Sequence, residues 1–287
     1  VFIILKETVI IMKFKYLGTA AAEGIPALFC ECETCAEARR RGGREIRSRS
    51  QALIDGKLMI DLNADTWYHS INYGIDMMDI KALFFTHTHA DHFYPQDLSL
   101  RRRYFANLKK GDKLEIYCSQ EAAKELEENS INDEAEHYGF TVNVIEPFKP
   151  FHAVGYEVTA VKAEHGTDMP LNFIISDGKT SILYAHDTGI YNQSTFDYMK
   201  QNEIRFDFVS LDCTFACQKI YNNVHMNLEN CMIMRQKLME CGAADKNTDF
   251  CLNHFTHNAE NVLYKEFSEK AAEYGFDVSY DGKTIVI

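Results

Sequence analysis

Four side chains able to bind a metal ion, His87, His89, Asp91 and His92, fall within the run THTHADH at residues 86–92. His87 and His89 are two positions apart, so on extended backbone their imidazoles project from the same side. Asp91 and His92 follow where the apolar run IKALFF has to leave its strand and turn. Four polar groups at the end of a buried strand cannot all be left without partners. The competing reading, an exposed loop with incidental histidines, does not explain why further histidines and aspartates follow other apolar runs. The spacing predicts a metal site. Without thiolate, such a set is borderline to hard and suits Zn²⁺, Mn²⁺ or Fe²⁺.

A second cluster has different chemistry. FCECETC places Cys30, Cys32 and Cys35 in a C-x-C-x-x-C pattern. Cys32 and Cys35 alone would match a redox C-x-x-C. Three thiolates so close suit a closed tetrahedral zinc site that lacks one ligand. NHFTHN offers His257 for that place, three residues after His254. Packing as small hydrophobes is the alternative, and Glu31 and Glu33 between the cysteines weigh against it. Cys118, Cys213, Cys231, Cys241 and Cys251 lie in apolar or helical contexts and read as core residues. Cys213 and Cys217 are four apart without further ligands nearby, and read as core or loop.

The H-x-H-x-D-H run resembles the metallo-β-lactamase superfamily, and the resemblance extends from Met12 nearly to the end of the chain. His165 in AEHG, Asp187 in AHDTG and His254 in CLNHFTHN appear in the expected order, each after an apolar strand-like run. The resemblance implies an α/β fold, the four-layer αββα sandwich, with a dinuclear metal centre at the sheet edges. It implies that His87, His89 and His165 hold one ion, that Asp91, His92 and His254 hold the other, and that Asp187 bridges them. A water shared by two such ions has its pKa lowered toward about 7 and attacks at neutral pH. GTAAAEGIPALFCECETC, together with the closing H-x-x-H, narrows the resemblance to the cyclic phosphodiesterase branch of phosphoribosyl 1,2-cyclic phosphate phosphodiesterases. In that branch Cys30, Cys32, Cys35 and His257 would form a structural zinc site.

Phosphodiester cleavage also needs a proton at the leaving oxygen. His225, in YNNVHMNLENC before an expected helix, is the candidate, and the branch has a non-ligand histidine in this region. An exposed loop histidine is the alternative. Asp91 is counted with the catalytic groups as well as the ligands. Asp61 and Asp212 each end an apolar strand and read as supports for the ligands. His186 should point away from the metals, because strand neighbours face opposite ways. His69, His137 and His152 read as surface or structural residues. Arg101, Arg102 and Arg103 could grip a phosphate, though a helix would splay them about 100° apart, which favours a solvated face. The basic stretch RRRGGREIRSR (39–49) could cover the site or meet a partner.

The elements that must position these groups follow from periodicity. Asp-Gly-Lys recurs at 55–57, 177–179 and 281–283 between apolar alternations, predicting three hairpins. Strands are expected at 113–118, 140–145, 154–162 and 206–212, and helices at 95–108, 119–130, 193–202, 227–241 and 258–274. No Pro/Gly/Ser-rich linker divides the 287 residues, and 46% are hydrophobic, enough for one full core. A single hydrolase domain over 12–287 is expected, with residues 1–11 as a dispensable extension or an extra edge strand. VFIILKETVIIM is too short and too charged for a membrane span and lacks a signal-peptide cleavage site.

The net charge of −12 disfavours extended nucleic acid or an anionic membrane as partner. It is compatible with a small anionic phosphodiester drawn in by bound metal. Nine cysteines, an odd number, predict a reducing, cytoplasmic setting, and a homodimer stays open. The expected activity is hydrolysis of a small, cyclic phosphodiester. The alternatives are a carboxylic-ester, thioester or lactone hydrolase, a tRNA-processing enzyme, or a non-catalytic metal-bound sensor. No basic glycine-rich arm for gripping tRNA is present. β-Lactam hydrolysis and flavin-linked di-iron chemistry fit less well.

Overall fold

The computed structural model describes residues 11–109, 111–129 and 138–287. Residues 1–10 of the expected extension, and His137, lie outside this range. The described residues form two seven-stranded sheets. The first runs in the order β14 (Thr284–Val286), β1 (Lys13–Gly18), β2 (Gln51–Ile54), β3 (Leu58–Ile60), β4 (Ala82–Phe84), β5 (Leu114–Cys118), β6 (Phe140–Val144). The second runs β13 (Asp277–Val278), β12 (Asp249–Asn253), β11 (Phe208–Asp212), β10 (Ser181–Ala185), β9 (Leu171–Ser176), β8 (Tyr156–Lys162), β7 (Pro150–Ala153).

Period-two alternation sorts each strand's side chains into layers. In β4, Ala82 and Phe84 enter the core between the sheets, while Leu83 enters the outer core of the first sheet. In β10, Ile182 and Tyr184 face the first sheet, while Leu183 and Ala185 face outward. Aromatic rings fill the space between the sheets, with Phe84 5.1 Å from Phe173 and Phe14 5.4 Å from Phe208. Each such ring contributes roughly 1.5–3 kcal/mol by leaving water. Helix α3 (Gln120–Glu128), N-capped by Ser119, covers the first sheet through Ala122, Ala123 and Leu126. Helices α4 (Gln193–Gln201), α5 (Leu228–Glu240) and α6 (Tyr264–Ala272) cover the second. The result is the expected αββα sandwich.

The first two Asp-Gly-Lys segments are hairpins, joining β2 to β3 and β9 to β10. The third is not a hairpin. Its flanking strands part, β13 pairing in parallel with β12 and β14 antiparallel with β1, so the segment crosses between sheets. Asp281 there accepts from the hydroxyls of Thr19 and Ser48 rather than closing a local turn. The helix expected at 95–108 is a 3₁₀ segment, Pro95–Arg101, and ends there. Leu98 is buried but Phe105 is exposed, so the apolar spacing does not define one packed face. The last helix begins at Tyr264 rather than 258. Periodicity missed α1 (Glu33–Arg41), α2 (Thr66–Tyr73) and the half-exposed edge strand β7. No helix among the described residues is long and apolar enough to cross a membrane.

Candidate metal centre and cysteine site

The polar ends of β3, β4, β10, β11 and β12 converge at one edge of the sandwich. Asp61, Asp187 and His254 each follow a strand and take positive φ values of 67°, 50° and 67°. Non-glycine residues in this region are strained and persist where the surrounding packing dictates them. Here the left-handed turn brings each side chain into the cluster at the strand end.

Three groups of donors result at this edge among the described residues, two of them overlapping. One is Asp187, Asp212, His225 and His254, and the other two are those expected from the sequence. His87, His89 and His165 form one, and Asp91, His92, Asp187 and His254 the other, with the donor atoms of each group within 4.8 Å of one another. His89 Nδ1 lies 3.1 Å from His165 Nε2, and His92 Nε2 lies 3.3 Å from His254 Nε2. Two imidazoles on a tetrahedral zinc sit about 3.3 Å apart, nitrogen to nitrogen. Asp187 stands between the groups, its Oδ2 3.5 Å from His87 Nε2 and its Oδ1 3.2 Å from His254 Nε2.

The opposite ring nitrogens are committed elsewhere. His92 Nδ1 donates to Asp61 at 2.7 Å, His254 Nδ1 to Thr214 Oγ1 at 2.9 Å, and His165 Nδ1 to the Val224 carbonyl at 3.0 Å. His87 Nδ1 is 3.0 Å from Thr86 Oγ1. Each bond orients its ring so that the inward nitrogen can present a lone pair to an ion. His87 Nε2 is buried with no hydrogen-bond partner, which an ion would resolve. These residues therefore fit a pair of divalent ions such as zinc.

Against the cost of burial, Asp187, Asp91 and Asp61 push His92 well above the ordinary imidazole value, so the ring is charged until an ion displaces its inward proton. Burial alone would neutralise Asp187, but His254 and His92 hold its carboxyl well below the usual range. Burial likewise opposes ionisation of Asp91, and His92 and His254 outweigh it. Burial keeps His87 well below the ordinary imidazole value, so it stays neutral as a ligand must.

His225 comes from the segment before α5. Its Nδ1 lies 3.0 Å from Asp212 Oδ2 and 3.4 Å from Asp187 Oδ1, and its ring is edge-on to His165 at 4.8 Å. Burial opposes its charge, but Asp212, followed by Asp187 and Asp91, raises its pKa to about 9. Asp61 and Asp212 thus each hold a histidine of the site. Sequence reasoning did not single out Thr86 and Thr214. Thr86 directly precedes His87 and bonds Asp61. Thr214 bonds Asp212, His225 and His254, and its only local signal is a hydroxyl two residues after a strand-end aspartate.

The cysteines gather separately with His257. Cys32 Sγ and Cys30 Sγ lie 3.5 and 3.6 Å from His257 Nδ1, and Cys35 completes a four-donor group. A thiolate and an imidazole on one tetrahedral zinc are about 3.6 Å apart, so this site also fits. Cys32 is the N-cap of α1, its sulfur accepting from the Cys35 N–H. Against burial, that bond and the His257 ring bring the Cys32 thiol down to about 6.

The arginines around the cysteines are consumed by structure. Arg39 donates to the carbonyls of Cys30 and Ala27, Arg41 pairs with Glu37 and Glu266, and Arg49 pairs with Asp65. Arg47 is buried over the Phe255 ring. The basic stretch therefore braces the cysteine loop. Arg101 donates to the Tyr138 and Gly139 carbonyls, Arg102 lies over Phe105, and Arg102 and Arg103 are exposed, the solvated face the spacing favoured. His186 points between the sheets, His69 is buried between Gln51 and Ser48, and His152 is exposed on β7.

Residues 62–244 match the profile of the beta-lactamase superfamily domain. Comparison with curated proteins finds no significant sequence match. Among solved structures, a diphosphatase from the PhnP family superposes with a TM-score of 0.75 at 19% identity, covering 96% of this chain and 97% of that one. YhfI from Bacillus subtilis, a metallo-beta-lactamase fold protein, gives 0.68 at 16% identity over 96% and 100%. Human tRNase Z, short form, gives 0.64 at 15% identity over 95% and 98%.

Proposed function

This chain belongs to the beta-lactamase superfamily, and from that premise we propose that it is a dinuclear-metal phosphodiesterase acting on a small, cyclic phosphodiester. The observation that carries this reading is His225. Asp212 holds its ring and, with Asp187 and Asp91, raises its pKa to about 9 against burial, and its Nδ1 lies 3.4 Å from the carboxylate between the two ligand groups. A proton donor so placed serves a leaving alkoxide oxygen, which phosphodiester cleavage requires.

His87, His89 and His165 would hold one ion, Asp91, His92 and His254 the other, and Asp187 both. When bound, the ions supply Lewis acidity and a water acidic enough to attack at neutral pH. The chain's own residues orient and discharge. Asp61 and Thr214 fix the His92 and His254 rings, and His225 delivers its proton from Nε2 while Nδ1 stays on Asp212. Cys30, Cys32, Cys35 and His257 would hold a structural zinc that braces the loop beside His254. The free state of the cysteines fits a cytoplasmic enzyme. The net charge of −12 supports a small substrate over an RNA.

The test is a panel of cyclic phosphates, linear diesters, diphosphates and lactones, with metal stoichiometry measured alongside. The diphosphates are included because the PhnP-family neighbour is a diphosphatase. Hydrolysis of bis(p-nitrophenyl) phosphate by the parent, lost in His89→Ala, is the expected outcome. A metal-loaded parent that cleaves only lactones or esters, or nothing, would overturn the proposal.

A further inference from the structure

His186 and Asn253 directly precede Asp187 and His254, two side chains of the same donor group. Both are buried. Their side chains meet between the sheets, Asn253 Nδ2 donating to His186 Nδ1 at 3.1 Å. This bond links the ends of β10 and β12 across the intervening β11.

The surrounding bonds make it directional. Asn253 Nδ2 also donates to Ser50 Oγ at 3.1 Å, and Asn253 Oδ1 accepts from Ser279 Oγ at 2.5 Å. His186, accepting at Nδ1, carries its proton on Nε2 and donates to Ser210 Oγ at 2.7 Å, which in turn is 2.6 Å from Tyr16 OH. The His186 carbonyl accepts from Asn172 Nδ2 at 2.7 Å. Both side chains are thus fully satisfied and held by the opposite sheet, through Ser50 and Tyr16. A satisfied buried network has one low-energy arrangement. Immediately after it, the backbone turns through the strained φ values of Asp187 and His254 into the site.

We propose that the His186–Asn253 pair is a positioning device that sets the separation of Asp187 and His254. Their donor atoms stand 3.2 Å apart, and the pair would thereby tune affinity for the ion shared by Asp91, His92, Asp187 and His254. His186 acts through its neighbour and touches neither ion nor substrate. The proposal rests on the metal-centre reading and needs no particular substrate.

The experiment is competition against a chelating dye with zinc-loaded full-length protein. His186→Leu removes both hydrogen bonds, whereas His186→Gln offers an acceptor to Asn253 and a donor to Ser210. In His186→Leu one ion of the histidine–aspartate centre should bind about 10–100-fold more weakly, the range for lost support of a metal ligand. The cysteine-bound zinc should stay, and His186→Gln should largely restore affinity. Asn253→Ala withdraws the donor without adding bulk and should show the same weakening, which keeps the test open if His186→Leu does not fold. Equal affinity in parent and variants overturns the proposal, as does parallel loss of the cysteine-bound zinc. A parent that takes up no ion at its histidines removes the metal-centre reading as well, a result visible before any variant is made.

Discussion

His225 shows how one partner decides what a residue can do. A histidine in an open loop would be half protonated near pH 6.5, whereas Asp212 raises this one to about 9 against the cost of burial. A raised pKa keeps the donor charged at neutral pH, and the charge is lost as pH rises through that value. The rate should therefore fall on the alkaline side, near 9, and His225→Asn should abolish that limb and lower kcat by about 10²–10⁴ with metal content unchanged. A steady-state pH profile with metal analysis checks this; an unaltered alkaline limb would assign the titration to another group. Thr214 bonds three members of the site. Thr214→Val, nearly isosteric, leaves His254 Nδ1 unpaired and should weaken metal binding about tenfold or more, read by dye competition.

At the scale of elements, strand ends supply the proposed ligands and one loop supplies the proposed proton donor. The loop carrying His225 is clamped to the segment after β10. Asn223 accepts from the Ile190 N–H through Oδ1 and donates to the Ile190 carbonyl through Nδ2, at 2.8 and 2.9 Å. Gly189 permits this approach, because a Cβ there would meet the Asn223 carbonyl oxygen at 2.1 Å. Gly189→Ala should push the loop outward, cost about 1–3 kcal/mol from overpacking, and lower kcat by tenfold or more through misplacement of His225. The ion held by His92 and His254 should remain, whereas the one held by His165 should weaken, because Val224 of the displaced loop fixes the His165 ring. Thermal unfolding, kcat and metal content together check this. A loss of ions with unchanged kcat per loaded centre would show that the clamp serves the metals instead.

Over the whole molecule, the cysteine site is a long-range tie. Cys30 and His257 are 227 positions apart, and the same stretch carries His254. In Cys32→Ser total zinc should drop by about one ion, the melting temperature should fall, and the histidine-held ions should survive. Unchanged metal content by elemental analysis would sink the assignment. Arg39 and Arg41 extend the tie, from the cysteine loop to its own carbonyls and to Glu266 of α6. These exposed arginines thus tie the cysteine loop to the last helix.

What was legible in the sequence were features whose cause is local. The alternation of IKALFF and FIISDGKTSILYA foretold strands because period two is set by the backbone itself. The run at 86–92 foretold a cluster of metal-competent donors because those donors are neighbours in the chain. C-x-C-x-x-C suggested a tetrahedral site for the same reason. Other features depended on contacts between distant segments. The third Asp-Gly-Lys reads like the first two, yet its strands part because β1 and β12, in different sheets, each offer an open edge. Arg101 and Arg47 look like free charges in sequence and are bound by carbonyls and aromatic rings that only folding brings near. Thr214 and the His186–Asn253 pair carry no motif. The sequence determined which donor atoms exist and which strands end beside them; the packing of two sheets decided which nitrogen of His92, His165 and His254 faces inward, because the outward nitrogen is claimed by Asp61, Val224 and Thr214 from other segments of the chain.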